Sequence, residues 1–180
     1  MLYLCRHGET QWTIEGKHTS YTDLHLTANG KIEALALHQK LAKGRFDQII
    51  SSPRIRALET AEPLKPTIEP LAVEWDYGDF EGLTSLEIHQ KYPHWNIFTD
   101  GAPNGESPSQ VSNRADLLLK KLLNNQGNVL LFSHGHFLKV LAARFLQLEI
   151  GLGRLFSLKT ASLSILKYES SKPVILTWNC

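Results

Sequence analysis

The sequence predicts an α/β protein: a three-layer sandwich with a mostly parallel central sheet, helices on both faces and a small cap inserted at about residues 75–108. Three observations predict it. Short apolar runs alternate along the chain with stretches of helical periodicity. One run, Val129-Leu130-Leu131-Phe132, is apolar without a break, the pattern of a strand buried on both faces at the centre of a sheet. A chain of 180 residues with 42% apolar and 21% charged side chains also suits a single packed domain, 1–180.

Residues 2–5 read as a short buried strand running straight into Arg6-His7-Gly8-Glu9-Thr10, and residues 11–25 read as polar and irregular. Leu26-Thr27 opens a helix. Ile32, Leu35, Ala36 and Ala42 recur at helical spacing, Leu37 and Leu41 widen the face, and Gly44 ends it. Residues 46–50 form a second strand. Ser51-Ser52-Pro53 then reads as a capping serine with proline at the first helical position. Ile55, Leu58 and Ala61 give that helix its core stripe, and Pro63 and Pro66 limit it. Residues 68–73 read as a strand. Residues 75–108 are rich in aromatics, proline and glycine, with one helix near 84–91. Helices over 111–123 and 137–146 bracket the central strand, and 155–158, 163–168 and 174–178 read as closing strands. There is no repeat, low-complexity tract or linker.

Composition narrows the function classes. A formal net charge of +1 gives no global attraction to nucleic acid or a membrane, so any anion preference must come from a few local groups. Cys5 and Cys180 make neither a disulfide framework nor a CxxC site. Charge follows the first apolar residues at once with Arg6, unlike a secretory leader, and no segment has the roughly 18 apolar residues that span a bilayer. The default expectation is cytoplasmic. His134 and His136 lack a third ligand at metal spacing, so no metal and no cofactor are expected.

Three predicted strands run directly into chemistry-bearing residues. Arg6-His7 follows the first, Ser51-Ser52 with Arg54 and Arg56 the second, and His134 the central one. Open parallel sheets bind ligands at the carboxyl ends of their strands, so neighbouring strands would bring these groups to one crevice. Arginine presents paired donors that match phosphate oxygens. One histidine can hold a phosphoryl oxygen in its protonated form, while another, kept neutral, attacks phosphorus through a ring nitrogen. Gly135 opens a helix whose N–H groups and dipole also favour an anion. Phosphoryl transfer otherwise needs positioning and charge neutralisation, plus a carboxylic acid to protonate the leaving oxygen. Glu74 is the candidate acid, with Asp76, Asp79 and Glu81 as rivals by composition.

Arg6-His7-Gly8-Glu9-Thr10 resembles the RHG signature of the histidine phosphatase (phosphoglycerate mutase-like) superfamily. Ser51-Ser52-Pro53 with Arg56-Ala57 and Glu59-Thr60-Ala61, Glu74 with Gly78-Asp79-Phe80-Glu81-Gly82, Gly105-Glu106-Ser107, and Ser133-His134-Gly135 resemble its further motifs in the same order. The resemblance implies that His7 is the phosphorylated nucleophile and that Arg6, Arg56 and His134 complete the phosphate pocket. It also implies that Glu74 protonates the leaving group and later activates water. Arg54 would be accessory. Thr13 stands where many members carry asparagine touching phosphate, and its hydroxyl can still donate. Residues 16–27, with Thr19, Thr22 and Asp23, are similar to the branch that includes sedoheptulose-1,7-bisphosphatase. So are 74–79, Trp95-Asn96-Ile97 with Asp100-Gly101, and 134–138. That similarity implies a small sugar phosphate as partner. The residues expected to touch substrate are Arg6, Thr13, Thr19, Thr22, Arg56, Tyr77, Gly135 and His136. A homodimer is compatible with the sequence. The other histidines, His18, His25, His38, His89 and His94, are expected at solvent, while Glu9 and Glu59 orient pocket groups or pack locally.

Two other functions compete with a metal-independent phosphatase. A phosphoglycerate mutase must hold a second phosphate, and between 75 and 108 the only fixed cation is Lys91. A non-catalytic phospholigand-binding module would lack a catalytic group, and all five are present.

Overall fold

The structure, a computed structural model, describes residues 1–124 and 127–180. Six strands form one sheet in the order β3-β2-β4-β1-β5-β6. They are β1 (Leu2–Arg6), β2 (Gln48–Ser51), β3 (Thr67–Ile68), β4 (Val129–Ser133), β5 (Leu163–Glu169) and β6 (Lys172–Thr177). β1 to β4 pair in parallel, and β5 and β6 close the sheet antiparallel. Every residue of β4 is buried, as its unbroken apolar run requires.

The pleat sends alternate side chains to two cores. Val129 and Leu131 of β4, with Leu2 and Leu4 of β1, meet α6 (Pro108–Leu123) and α7 (Gly135–Phe145). Leu130, Phe132 and Cys5 meet Leu37 and Leu41 of α2 (Ala28–Leu41) and Ala61 of α3 (Ile55–Ala61). Two helical layers therefore enclose the sheet. The segment between the 3-10 turn at Pro70–Ala72 and α6 carries α4 (Ser85–Lys91) and α5 (Ile97–Asp100). Its Trp75, Tyr77, Phe80 and Phe98 join the α6–α7 core.

Several local expectations are corrected. Residues 11–15 form a helix, α1 (Gln11–Glu15), capped reciprocally by Thr10 and Thr13. In α2 the buried face is Gly30, Ala34, Leu37 and Leu41, while Ile32 and Leu35 are exposed. The helix is turned because Gly30 packs directly on the loop after β1: a Cβ at residue 30 would stand 2.2 Å from the Glu9 carbonyl oxygen. The N-cap of α3 is Arg54, without a side-chain cap, and the helix buries Arg56, Ala57, Thr60 and Ala61 rather than an Ile55–Leu58 stripe. Pro53 therefore lies in the loop. Residues 68–73 are only briefly strand before the 3-10 turn, and the strand expected at 155–158 does not form: 3-10 helix over Ile150–Leu155 ends there and 156–158 are irregular.

Gly30→Ala should lower the urea midpoint by the equivalent of about 1–3 kcal/mol, the usual cost of overpacking. An unchanged midpoint would show that the loop after β1 can recede freely.

Candidate active site

β4 lies between β1 and β2, with Arg6 level with Ser133 and Ser51 level with Phe132. The three polar strand ends are therefore adjacent, as the topology argument requires. The His7 N–H donates to the Ser133 carbonyl at 2.9 Å, and its own carbonyl accepts from the Ala161 N–H at 3.1 Å. The Gly8 N–H donates to Thr60 Oγ1 at 2.9 Å, and that hydroxyl donates to the Arg56 carbonyl at 2.6 Å, tying the loop to α3.

The His7 Nδ1 lies 2.8 Å from the Gly8 carbonyl oxygen, which can only accept. Nδ1 therefore carries the proton, and Nε2 keeps its lone pair. Burial, followed by the Arg56 and Arg6 guanidiniums, holds the imidazole pKa well below its ordinary value. His7 is thus a neutral nitrogen base beside two cations, the state a nucleophile for an anionic phosphoryl group needs.

The His134 ring centroid lies 5.2 Å from that of His7. Its Nε2 is 2.8 Å from Ser52 Oγ at the end of β2. Burial, then Arg56 and His7, keep this ring's pKa well below the ordinary value too. The sequence argument asks for a protonated His134, whereas the unliganded surroundings favour the neutral ring. A phosphate dianion would supply the counter-charge that protonation needs.

Arg56 is wholly buried. Its guanidinium donates to the carbonyls of Thr22 at 3.0 Å and of Thr19 and Ser20 at 3.1 Å. The same loop gives its Ser20 and Thr22 N–H groups and the Ser20 hydroxyl to the Glu81 carboxylate. Glu81 therefore holds the loop that holds Arg56. Arg6 donates to the Leu158 carbonyl at 2.6 Å. It passes so close to α7 that a Cβ at Gly135 would stand 3.3 Å from its Nε, so glycine makes room for the guanidinium. Arg54 stacks over Tyr21, 4.8 Å from the ring centroid, in keeping with an accessory position.

Among the described residues, the buried side-chain N or O atoms without a hydrogen-bond partner are Arg6 Nε, Arg54 Nε, Arg56 Nε and His134 Nδ1. Buried polar groups are almost always paired, because an unmet one costs desolvation free energy. Three of the four belong to Arg6, Arg56 and His134, the residues that the sequence motifs single out for phosphate.

Glu74 is also buried. Its Oε1 accepts from the N–H groups of Phe137 at 2.7 Å and Trp75 at 2.9 Å, and its Oε2 accepts from His136 at 3.1 Å. The amides expected to face a ligand at the start of α7 are thus largely taken by the protein's own carboxylate. Oε2, with one donor, retains capacity for a proton. Glu106 and Arg114 fix this segment. Arg114 donates to the carbonyls of Leu71, Val73 and Glu74 while pairing with Glu106, which accepts from the Asp76 N–H. Of the rival acids, Asp76 caps the Gly78 N–H, Asp79 accepts from Asn104 and Glu81 holds the loop.

A cavity of about 180 Å³ opens here, bordered by Arg6, His7, Thr13, Thr19, Glu74, Tyr77, Gly135 and His136. Arg56 and His134, both wholly buried, do not border it. Thr22 does not border it; its backbone serves Arg56 and Glu81. The Thr13 hydroxyl donates to the Thr10 carbonyl at 2.8 Å within the α1 cap. Tyr77, whose pKa burial pushes well up, has its hydroxyl 2.5 Å from His136 Nδ1.

Lys17, His18 and Lys139 also border the cavity, and sequence reasoning did not find them. His18, expected at solvent, is buried with its ring centroid 4.7 Å from that of Tyr77. Among the described residues, no three His, Cys, Asp or Glu side chains gather in a way that could hold a metal ion.

The burial of these imidazoles makes a pH prediction. Desolvation is the largest cause of the lowered pKa values of His7, His134 and His136, and it takes His18 down to about 4. With folded-state values below the ordinary 6.5, the unfolded chain binds more protons in acid. Stability should therefore be flat above about pH 7 and fall from about pH 6.5 toward pH 4. Urea midpoints across that range test this, and a midpoint that rises on acidification would contradict it.

Residues 2–180 match the histidine phosphatase superfamily, branch 1. The chain belongs to that superfamily. It is 40% identical over 175 residues to an acid phosphatase of Mycobacterium tuberculosis, covering 93% of this chain and 86% of that protein. It is 31% identical over 176 residues to sedoheptulose 1,7-bisphosphatase of Saccharomyces cerevisiae, covering 78% of this chain and 65% of that one. The solved structure of a Mycobacterium tuberculosis open reading frame product superposes with a TM-score of 0.95 at 38% identity, over 99% of this chain and 96% of the other.

Proposed function

We propose that the protein hydrolyses a phosphomonoester of a small metabolite, a sugar phosphate, without a metal. His7 Nε2 attacks phosphorus, and the P–O bond to the leaving alcohol breaks as Glu74 Oε2 delivers a proton to that oxygen. The Arg6 and Arg56 guanidiniums and His134 neutralise the phosphoryl oxygens in both steps. Glu74, now a carboxylate, takes a proton from water as the water oxygen attacks phosphohistidine, releasing phosphate and restoring neutral His7. The supporting observation is the neutral His7 with its free Nε2, set 5.2 Å from His134 amid buried guanidinium N–H groups that have no protein acceptor. The acid phosphatase and the sedoheptulose bisphosphatase among its relatives agree with this reading.

The mutase comparison changes in one respect. Lys91 borders a separate hollow with Tyr92 and His94, but Lys17 and Lys139 bring cations to the catalytic cavity from outside residues 75–108. The absence of cations is therefore no argument against a second phosphate. The deciding experiment is a panel of phosphorylated metabolites assayed in EDTA for phosphate release and, with 3-phosphoglycerate, for isomer formation. Phosphate release without isomerisation is expected. Isomerisation faster than release would make the protein a mutase, and activity lost in EDTA and restored by a metal would overturn the metal-independent cycle.

A further inference from the structure

A second cavity of about 210 Å³ adjoins the catalytic one and shares three of its walls, His18, His136 and Lys139. Its outer wall carries Arg154, from the 3-10 segment Ile150–Leu155. That segment sits tightly against the site: a Cβ at Gly153 would lie 2.9 Å from the Phe98 ring and 3.4 Å from the Lys139 carbonyl oxygen. Arg154 is thereby placed next to the α7 turn that carries Lys139. Among the described residues, neither Lys139 nor Arg154 forms an ion pair, and no Asp or Glu borders this outer cavity. Lys139 is half-buried and Arg154 is exposed at the rim, and two cations facing one hollow that no carboxylate borders are matched by an incoming anion. His136 stands between the cavities, with its Nδ1 beside the Tyr77 hydroxyl.

We infer that the outer cavity is a second anion subsite, in which Lys139 and Arg154 hold a carboxylate or phosphate borne by the alcohol portion of the substrate while its phosphomonoester lies at His7. This rests on the phosphatase reading and adds to it a substrate class: phosphomonoesters with another negative group, in preference to neutral sugars.

The test separates the two readings. Binding is measured by calorimetry to the His7→Ala protein, where no turnover is needed, using matched pairs: 3-phosphoglycerate against glycerol 3-phosphate, and fructose 1,6-bisphosphate against fructose 6-phosphate. Hydrolysis of p-nitrophenyl phosphate by the unaltered protein is followed separately. At least one doubly anionic partner should bind about tenfold tighter than its match, as a charge-assisted contact supplies. The pair that shows the advantage identifies the group as carboxylate or phosphate. Adding Lys139→Gln and Arg154→Gln should bring the advantage close to one. Equal affinities within about twofold in both pairs, or an advantage that survives both substitutions, would overturn the subsite. A binding preference without any hydrolysis would instead leave the subsite standing and remove the phosphatase.

Discussion

His7→Ala protein should release phosphate at least about 10⁴-fold more slowly than the unaltered enzyme, with EDTA present throughout, because a nucleophile that acts as a unit with its surroundings cannot be removed in part. The size of the loss follows from geometry. His7 Nε2 is the ring nitrogen left free once Nδ1 is committed to the Gly8 carbonyl. His134, the neighbouring imidazole, is engaged through Nε2 with Ser52. The substitution leaves the backbone anchors at Ser133 and Ala161 intact, so the variant should fold. Its far-UV circular dichroism should match that of the parent. A folded His7→Ala protein retaining near-parental turnover would remove His7 from the nucleophile's role.

Glu74→Gln should show a loss that depends on the leaving group. Glutamine keeps an oxygen for the Phe137 and Trp75 amides but cannot deliver a proton from the other terminal atom. General acid catalysis contributes about 10²–10⁴-fold, so kcat for a sugar phosphate should fall by that order. p-Nitrophenyl phosphate releases a stable anion that needs little protonation, and its first step should be nearly spared. Release of p-nitrophenol should then show a rapid burst followed by slow turnover, since Glu74 is still wanted to activate water. An equal loss for both substrates with no burst would make Glu74 a structural cap of α7 rather than the acid.

The parts of the fold that depend on local pattern were legible in the sequence. The unbroken apolar run at 129–132 marks β4, and Ser133-His134-Gly135 marks the change from strand to helix. Thr84 with Glu87 makes a capping box that starts α4 one residue on. What could not be read locally was decided by contacts between distant segments. α1 has five residues, too few to show periodicity, and its cap uses Thr13 where Glu or Gln is the recognisable signal. The inward face of α2 was misjudged because a close approach of Gly30 to Glu9, not apolar content, sets its rotation. His7, Arg6 and Glu74, which border the cavity, were singled out in the sequence because each follows a predicted strand or belongs to a motif. Lys17, His18 and Lys139 reach the same cavity without any such mark, Lys139 from one helical turn beyond His136. Arg56 was identified, but its attachment to three carbonyls of the loop held by Glu81 exists only in three dimensions.

The central claim is that a phosphoryl group passes through His7. Glu74→Gln protein mixed briefly with ³²P-labelled p-nitrophenyl phosphate and quenched in base should retain label approaching one phosphoryl group per chain, stable in alkali and lost in acid. Proteolysis and mass spectrometry should place it on His7. Label found on another residue, or a burst of p-nitrophenol with no label left on the protein, would contradict transfer through this histidine.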